Sequence, residues 1–371
     1  MRDRLRVGVV GCGLVAQVKH LPILSELHDR YEVAAVCDLS PEVVDACRRR
    51  HHVPQGFTRW EELLEQPLDA VWVLTGGSHA PIVAAAARAG LHVFVEKPLC
   101  LSSAEGRELV AEVEAAGITA MVGYMKRHDP AYRVLRQALA GFGDLRLVRA
   151  TTLEAPLQPY VAHRELMAGR LPPELVAELQ ADDRERVRRA IGEVDEAVWR
   201  IYRSVLLDSL VHDLNTLRGL LGEPDELAYA ELHDHGVIAV LRFGTTPCVL
   251  TWTDLPGLAR YEEEFGFYGS DQRATLAFGS PFLRDQTARL SFEGGDPGTV
   301  GSWHRDEVVS YEDPFKLELV AFQEAVTSGR EPLTTVADAL RDVELCERIV
   351  ATHLAGGSAA DVRALAGGAA P

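Results

Sequence analysis

The stretch 5-LRVGVVGCGLVA-16 decides the fold. The apolar run LRVGVV reads as a buried strand, and the glycines that follow break it into a turn that opens a helix. Gly11 permits the tight turn, and Gly13 lets backbone approach a pyrophosphate. Ala16 is small enough for the helix to pack close to the sheet. Leu14 and Val15 complete the expected phosphate cradle. A helix N-terminus offers unpaired N–H groups and positive partial charge to an anion.

Working outward, apolar runs at 32–37, 70–75, 91–96 and 118–124 alternate with helical patterns at 41–50, 79–89 and 102–116. Near-continuous apolar strands separated by helices predict a doubly wound parallel sheet covered on both faces. Asp38 follows the second run, and Ser40 before Pro41 supplies a helix cap. A carboxylate at 38 can bind both adenosine ribose hydroxyls and repels a 2′-phosphate. Leu39 follows it where an arginine would accept that phosphate. NAD is therefore the expected cofactor, with NADP disfavoured.

The chain has 371 residues, 47% hydrophobic, and a formal net charge of −17. An acidic surface repels phosphate backbones and anionic lipid, so neither nucleic acid nor membrane is an expected partner. The six cysteines form no CxxC pair. They read as reduced thiols of a cytoplasmic protein. The basic MRDRLR followed by apolar residues imitates a secretion signal, but the glycine-broken run fits a strand and loop better.

Beyond residue 125 the texture changes. A connecting helix at 129–140 and a strand at 145–154 precede a charged helical insertion, 155–200. A helix then runs to about Leu221, where Gly222 and Pro224 end it. Strand patterns at 227–232, 237–243, 247–253, 262–269 and 273–278 predict a mostly antiparallel open sheet. Helices are expected near 314–328 and 335–354. The division is 1–125 as a dinucleotide-binding Rossmann domain, with the 335–354 helix a candidate to pack back on it. Residues 126–331 form a substrate and oligomerisation domain, and 355–371 a flexible tail.

Two motifs carry chemistry. Glu96-Lys97-Pro98 ends a parallel strand, where ligands bind in open α/β sheets. In 204-SVLLDSLVHDLN-215, Asp208, His212 and Asn215 share one stripe of an otherwise apolar helix. With the glycine loop, Asp38 and 123-GYMKRHDPAY-132, these motifs resemble the Gfo/Idh/MocA oxidoreductases. That family takes its name from glucose–fructose oxidoreductase, inositol dehydrogenase and rhizopine catabolism. The resemblance implies that Lys97 lies beside the nicotinamide and binds the reacting oxygen, and that the Lys97–Pro98 bond is cis. It also implies that His212 is a general acid/base supported by Asp208. Asn215 stands where the family often has a further acid, and 201-IYRSV-205 replaces the glycines that commonly precede this helix.

The expected activity is NAD(P)-dependent hydride transfer at a secondary alcohol or ketone of a sugar, cyclitol or related polyol. Two alternatives stay open: a glycosidase that uses NAD transiently, and a non-catalytic sugar-binding regulator. Thr75, His79 and Glu96 are further cofactor-binding candidates; Tyr124, Arg127 and Asn215 are substrate-binding candidates. Trp303 and His304 are weaker candidates for stacking on a sugar. His233 and His235 lack partners at ligand spacing, so no metal is expected. A homodimer or homotetramer is the expected assembly.

Overall fold

The computed structural model describes residues 4–283, 286–296 and 298–357. Most of the expected 355–371 tail lies outside the described residues. The chain divides into two compact units. The first comprises Met1–Met125, Arg164–Glu193 and Phe315–Glu344; the second comprises Lys126–His163, Val194–Pro314 and Leu345–Pro371.

Six strands build the first unit: β1 (Leu5–Val10), β2 (Tyr31–Cys37), β3 (Gln55–Phe57), β4 (Ala70–Val73), β5 (His92–Glu96) and β6 (Ala120–Gly123). Their order is β3-β2-β1-β4-β5-β6, all parallel. The order reverses between β1 and β4, which opens a crevice beyond their carboxyl ends. β4 is buried at every position, as a strand covered on both faces must be. The three-residue β3 was not anticipated, because a run that short carries no periodicity.

Helices begin where capping is available. Ser40 accepts from the Val43 N–H at 3.4 Å to start Pro41–His51, and Ser102 accepts from the Glu105 N–H at 3.2 Å to start Ser103–Ala116. One part of the core comes from far along the chain. The helix Pro314–Ser328 buries Phe315, Leu319, Phe322 and Val326 in the same cluster as Trp72 and Phe94. Trp72 stacks on Phe94 with centroids 5.4 Å apart and meets Phe322 edge-on at 5.1 Å. The Tyr31 hydroxyl donates to the Leu319 carbonyl.

The second unit holds an eight-stranded sheet: β7 (Leu147–Glu154), β8 (Glu226–His233), β9 (Gly236–Phe243), β10 (Thr246–Asp254), β11 (Glu262–Tyr268), β12 (Gln272–Phe278), β13 (Arg289–Gly295) and β14 (Ser302–Glu307). The order is β14-β13-β12-β11-β7-β10-β9-β8. Every pairing is antiparallel except β7 with β10. The fold is thus a parallel Rossmann sheet plus a mixed, mostly antiparallel one. β13 and β14 were not anticipated. β14, SWHRDE, is almost wholly exposed and shows no apolar alternation.

The inserted segment contains helices Gln158–Val161, Pro173–Ile191 and Glu196–Ile201. The last continues through a π-helical stretch, Tyr202–Leu210, into Val211–Leu221. Gly222, at φ 88°, ends it. Among the described residues, no helix is long and apolar enough to cross a membrane.

Candidate active site

The cradle is built from backbone. Gly11 has φ +93°, and a Cβ there would lie 2.6 Å from the Leu74 carbonyl carbon. Its N–H donates to the Cys37 carbonyl at 2.8 Å, which ties the loop to β2. Gly13 differs: a Cβ built there has nothing within 4 Å. The backbone at 13 is therefore open on the side a phosphate would approach. Ala16 is fully buried against the core, while Leu14 and Val15 are half-buried. Thr75, in the loop after β4, has a buried hydroxyl oxygen with no hydrogen-bond partner among the described residues. An open glycine backbone at a helix entrance and an unsatisfied hydroxyl beside it fit a dinucleotide.

Asp38 is occupied on both oxygens. Oδ2 accepts from the Cys12 N–H at 2.9 Å and Oδ1 from the Ser40 N–H at 3.0 Å. Leu39 between them is 46% exposed.

The Lys97 loop is held from beneath. Glu96 is buried and bonds His20 Nε2 through Oε1 at 2.8 Å; its Oε2 accepts from the Lys97 N–H at 3.1 Å. With both oxygens engaged, Glu96 orients the turn. The Lys97–Pro98 peptide is cis, as the resemblance implies. His79 joins this turn to the β4 loop: Nδ1 lies 2.7 Å from the Pro98 carbonyl and Nε2 2.7 Å from the Thr75 carbonyl. Burial lowers its pKa, against the pull of those two carbonyls. Tyr124 is buried just after β6.

In the second unit, Leu206, Leu207, Leu210, Val211, Leu214 and Leu217 are buried, whereas Asp208 is exposed and His212 half-buried. The acid and the imidazole thus share the accessible edge of this helix. The π-helical stretch ends at Leu210, between them; such widened turns recur at functional sites. Asn215 is fully buried. Arg127 Nη1 donates to its carbonyl at 3.2 Å and its side-chain oxygen at 3.4 Å. These two substrate-binding candidates therefore engage each other inside the unit.

Two groups of residues escaped the sequence reading. Trp252 Nε1 donates to Ser209 Oγ at 3.0 Å, and Ser209 donates to Glu154 at 3.2 Å. Burial holds the Glu154 pKa above the ordinary carboxyl range, Ser209 opposes it, and the Asp208 charge adds to the rise. Deeper, Lys126 pairs with Glu263, which also accepts from the Tyr261 hydroxyl at 2.8 Å. Asp213, fully buried, accepts from the Thr152 hydroxyl at 2.8 Å. Burial first, and then the Glu263 charge, raises Asp213 well above the usual carboxyl range, against the pull of Lys126. One signal was available: the inward positions of β11 alternate, and that parity puts Glu263 in the core.

The weaker candidates fall elsewhere. Trp303 and His304 stand exposed on β14, where His304 contacts Glu293 at 3.2 Å and Asp306 at 3.0 Å. His235 lies 3.6 Å from Asp254 at the β8–β9 turn.

Comparison with known proteins adds the following. Residues 5–124 match the GFO_IDH_MocA model, described as an oxidoreductase family with an NAD-binding Rossmann fold. Myo-inositol 2-dehydrogenase of Thermotoga maritima is 25% identical over 90% of this chain and 92% of its own. KijD10, a 3-ketoreductase from Actinomadura kijaniata solved with NADP and TDP-benzene, superposes with a TM-score of 0.71. It is 24% identical, over 94% of this chain and 97% of that one. Levoglucosan dehydrogenase, solved with NADH and levoglucosan, gives a TM-score of 0.72 at 17% identity, over 95% and 97%.

The expectation that NADP is disfavoured is corrected by these findings. Several structures of the same fold hold NADP. The physical reason lies in Asp38. Its two oxygens hold the loop through Cys12 and Ser40, so a carboxylate at that position needs no ribose contact to account for it. The supported cofactor is NAD(P).

Proposed function

This chain belongs to the Gfo/Idh/MocA family of oxidoreductases and is an NAD(P)-dependent enzyme acting on CH–OH groups; on that premise, we propose that its substrate is a sugar, cyclitol or related polyol. In this reading Gly11, Gly13, Leu14, Val15 and Thr75 hold the dinucleotide. The bound nicotinamide supplies the hydride acceptor or donor. His212 takes the hydroxyl proton during oxidation and returns it during reduction. An imidazole titrates near working pH, and such help is worth about 10²–10⁴ in rate. Asp208, one turn earlier, orients the ring and favours its cationic form. Lys97 stabilises negative charge developing on the reacting oxygen.

The observation that carries this reading is the accessible edge of the Tyr202–Leu221 helix. It leaves Asp208 exposed and His212 half-buried where the neighbouring leucines are buried. The named relatives support the substrate class, since they include an inositol dehydrogenase and a levoglucosan dehydrogenase. The proposed setting is the cytoplasm, where six free, buried thiols stay reduced. The proposed assembly is a homodimer or homotetramer, checked by light scattering.

The test is NAD(P)H formation over a panel of sugars, cyclitols, amino-sugars and nucleotide sugars, with His212→Ala and Lys97→Ala beside the parent. Each variant is expected to lose at least about 100-fold in kcat while cofactor affinity barely moves. Full activity in either removes that residue from the mechanism. Glycoside cleavage without net NAD(P)H would favour transient redox cycling instead.

A further inference from the structure

Residues 164–193 stand outside the six-stranded sheet yet group with the first unit, and their contacts there fall in a pattern. Gln17, next after the cradle, grips the inserted backbone with its whole amide. Nε2 donates to the Met167 carbonyl at 2.8 Å, and Oε1 accepts from the Met167 N–H at 2.9 Å. The same Nε2 donates to the Cys12 carbonyl at 2.8 Å, so loop and insertion share one clamp. Gly169 lies against Ser40 so closely that a Cβ would collide with the serine side chain. Ser40 is the residue whose N–H holds Asp38. Arg50 donates to the Glu165 carbonyl at 2.7 Å.

Farther along, Asp183 covers the β4 loop: a Cβ on Gly77 would lie 2.9 Å from Asp183 Oδ1. Arg186 pairs with Glu105, whose second oxygen accepts from the Leu101 N–H at 3.3 Å. That ties the insertion to the segment following Lys97 and Pro98. One continuous segment therefore touches the loops after β2 and β4 directly and reaches those after β1 and β5 through Gln17 and Glu105. Those loops surround the crevice at the strands' carboxyl ends, where a doubly wound sheet binds its ligand.

A helix present for packing would bury an apolar stripe. The helix Pro173–Ile191 buries Val187 but leaves Val176 36% and Leu179 44% exposed. It is held instead by polar and backbone contacts aimed at the ligand loops. We propose that residues 164–193 form a strap across the dinucleotide crevice, positioning the four loops and slowing cofactor release. The proposal rests on the reading of the glycine loop as the dinucleotide site. Its action is on residence time: contacts formed around an already bound ligand change the dissociation rate far more than the association rate.

The experiment loads the full-length enzyme with NADH, and separately with NADPH. Loss of bound-nucleotide fluorescence is then followed by stopped flow on chasing with excess oxidised nucleotide. Met167→Pro removes the N–H that Gln17 accepts. Asp183→Ala with Arg186→Ala releases the other end. Each is expected to speed release about tenfold with an unchanged thermal midpoint, and Arg186→Lys alone to stay near the parent rate. Parent-like release in both variants overturns the strap. So does faster release accompanied by a matching fall in thermal midpoint, which would make the segment a packing element. Failure of the parent to bind either dinucleotide defeats the glycine-loop reading itself, a separate result.

Discussion

Lys126 and Glu263 form an ion pair with side chains only 6% and 0% exposed, and the buried carboxyl of Asp213 stands close enough to feel both charges. One ammonium thus faces two acids. Burial and the Glu263 charge raise Asp213 well above the usual carboxyl range, so the two acids are not equivalent.

That arrangement makes the two ends of the pair unequal. Lys126→Met strands a buried carboxylate and should cost about 3–5 kcal/mol. Glu263→Gln should cost less, because Asp213 can ionise and take over as the partner of Lys126. Urea-unfolding midpoints of the two variants check this; equal losses would mean that Asp213 does not compensate.

Asp213 also sets a pH dependence. Its native pKa is raised above the unfolded value of an aspartic acid, so the folded chain holds a proton that the unfolded chain releases. The stability that this proton supports is complete below the unfolded pKa and is lost as pH rises through the higher native one. Asp213→Asn should flatten the stability profile from about pH 4 upward and leave the variant relatively more stable at the alkaline end. Unfolding midpoints across pH for parent and variant provide the measurement. Parallel profiles would show that Asp213 is ionised in the fold.

The glycines of the cradle should separate cleanly. Gly11→Ala forces a side chain into positive φ and against Leu74 backbone. The conformational strain alone is about 1–2 kcal/mol, so the thermal midpoint should fall. Gly13→Ala meets no protein atom within 4 Å, so its midpoint should hold while cofactor affinity drops at least about tenfold. Differential scanning fluorimetry with a nucleotide titration distinguishes them.

Glu96 should act through the lysine beside it. Its Oε2 takes the Lys97 N–H, and its Oε1 is anchored on His20. Glu96→Ala frees that turn, and a catalytic group displaced by an ångström costs about 100-fold in kcat. Glu96→Gln keeps an acceptor for the Lys97 N–H and should recover part of the loss. Single-turnover rates at saturating nucleotide report it, and an unchanged rate in the alanine variant would leave Glu96 a passive core residue.

Five of the six parallel strands were legible because they are mostly apolar and alternate with helical patterns; Ser40 starts its helix as the sequence suggests. Of the expected stripe Asp208, His212 and Asn215, the first two do share an accessible edge, but Asn215 is buried against Arg127. What escaped depends on partners distant in sequence. Lys126 reads only as part of the 123-GYMKRHDPAY-132 motif, and Glu263, 137 positions later, lies against it in the fold. Asp213 has no assigned role in the sequence, yet its side of the helix faces Thr152 on β7. Asp38 misled because a carboxylate serving backbone N–H groups looks, in sequence, like one serving a ribose. β14 escaped because an exposed edge strand needs no alternation.

The Trp72–Phe94–Phe322 cluster has a consequence for biogenesis. A ribosome releases the six parallel strands well before the helix that supplies Phe315, Leu319 and Phe322. Until that helix emerges, Trp72 and Phe94 lack the aromatic ring that closes over them. The nascent chain must therefore carry an unfinished nucleotide domain through most of its synthesis, a state that invites chaperone capture. Truncation after residue 125 should yield aggregates rather than a smaller working module.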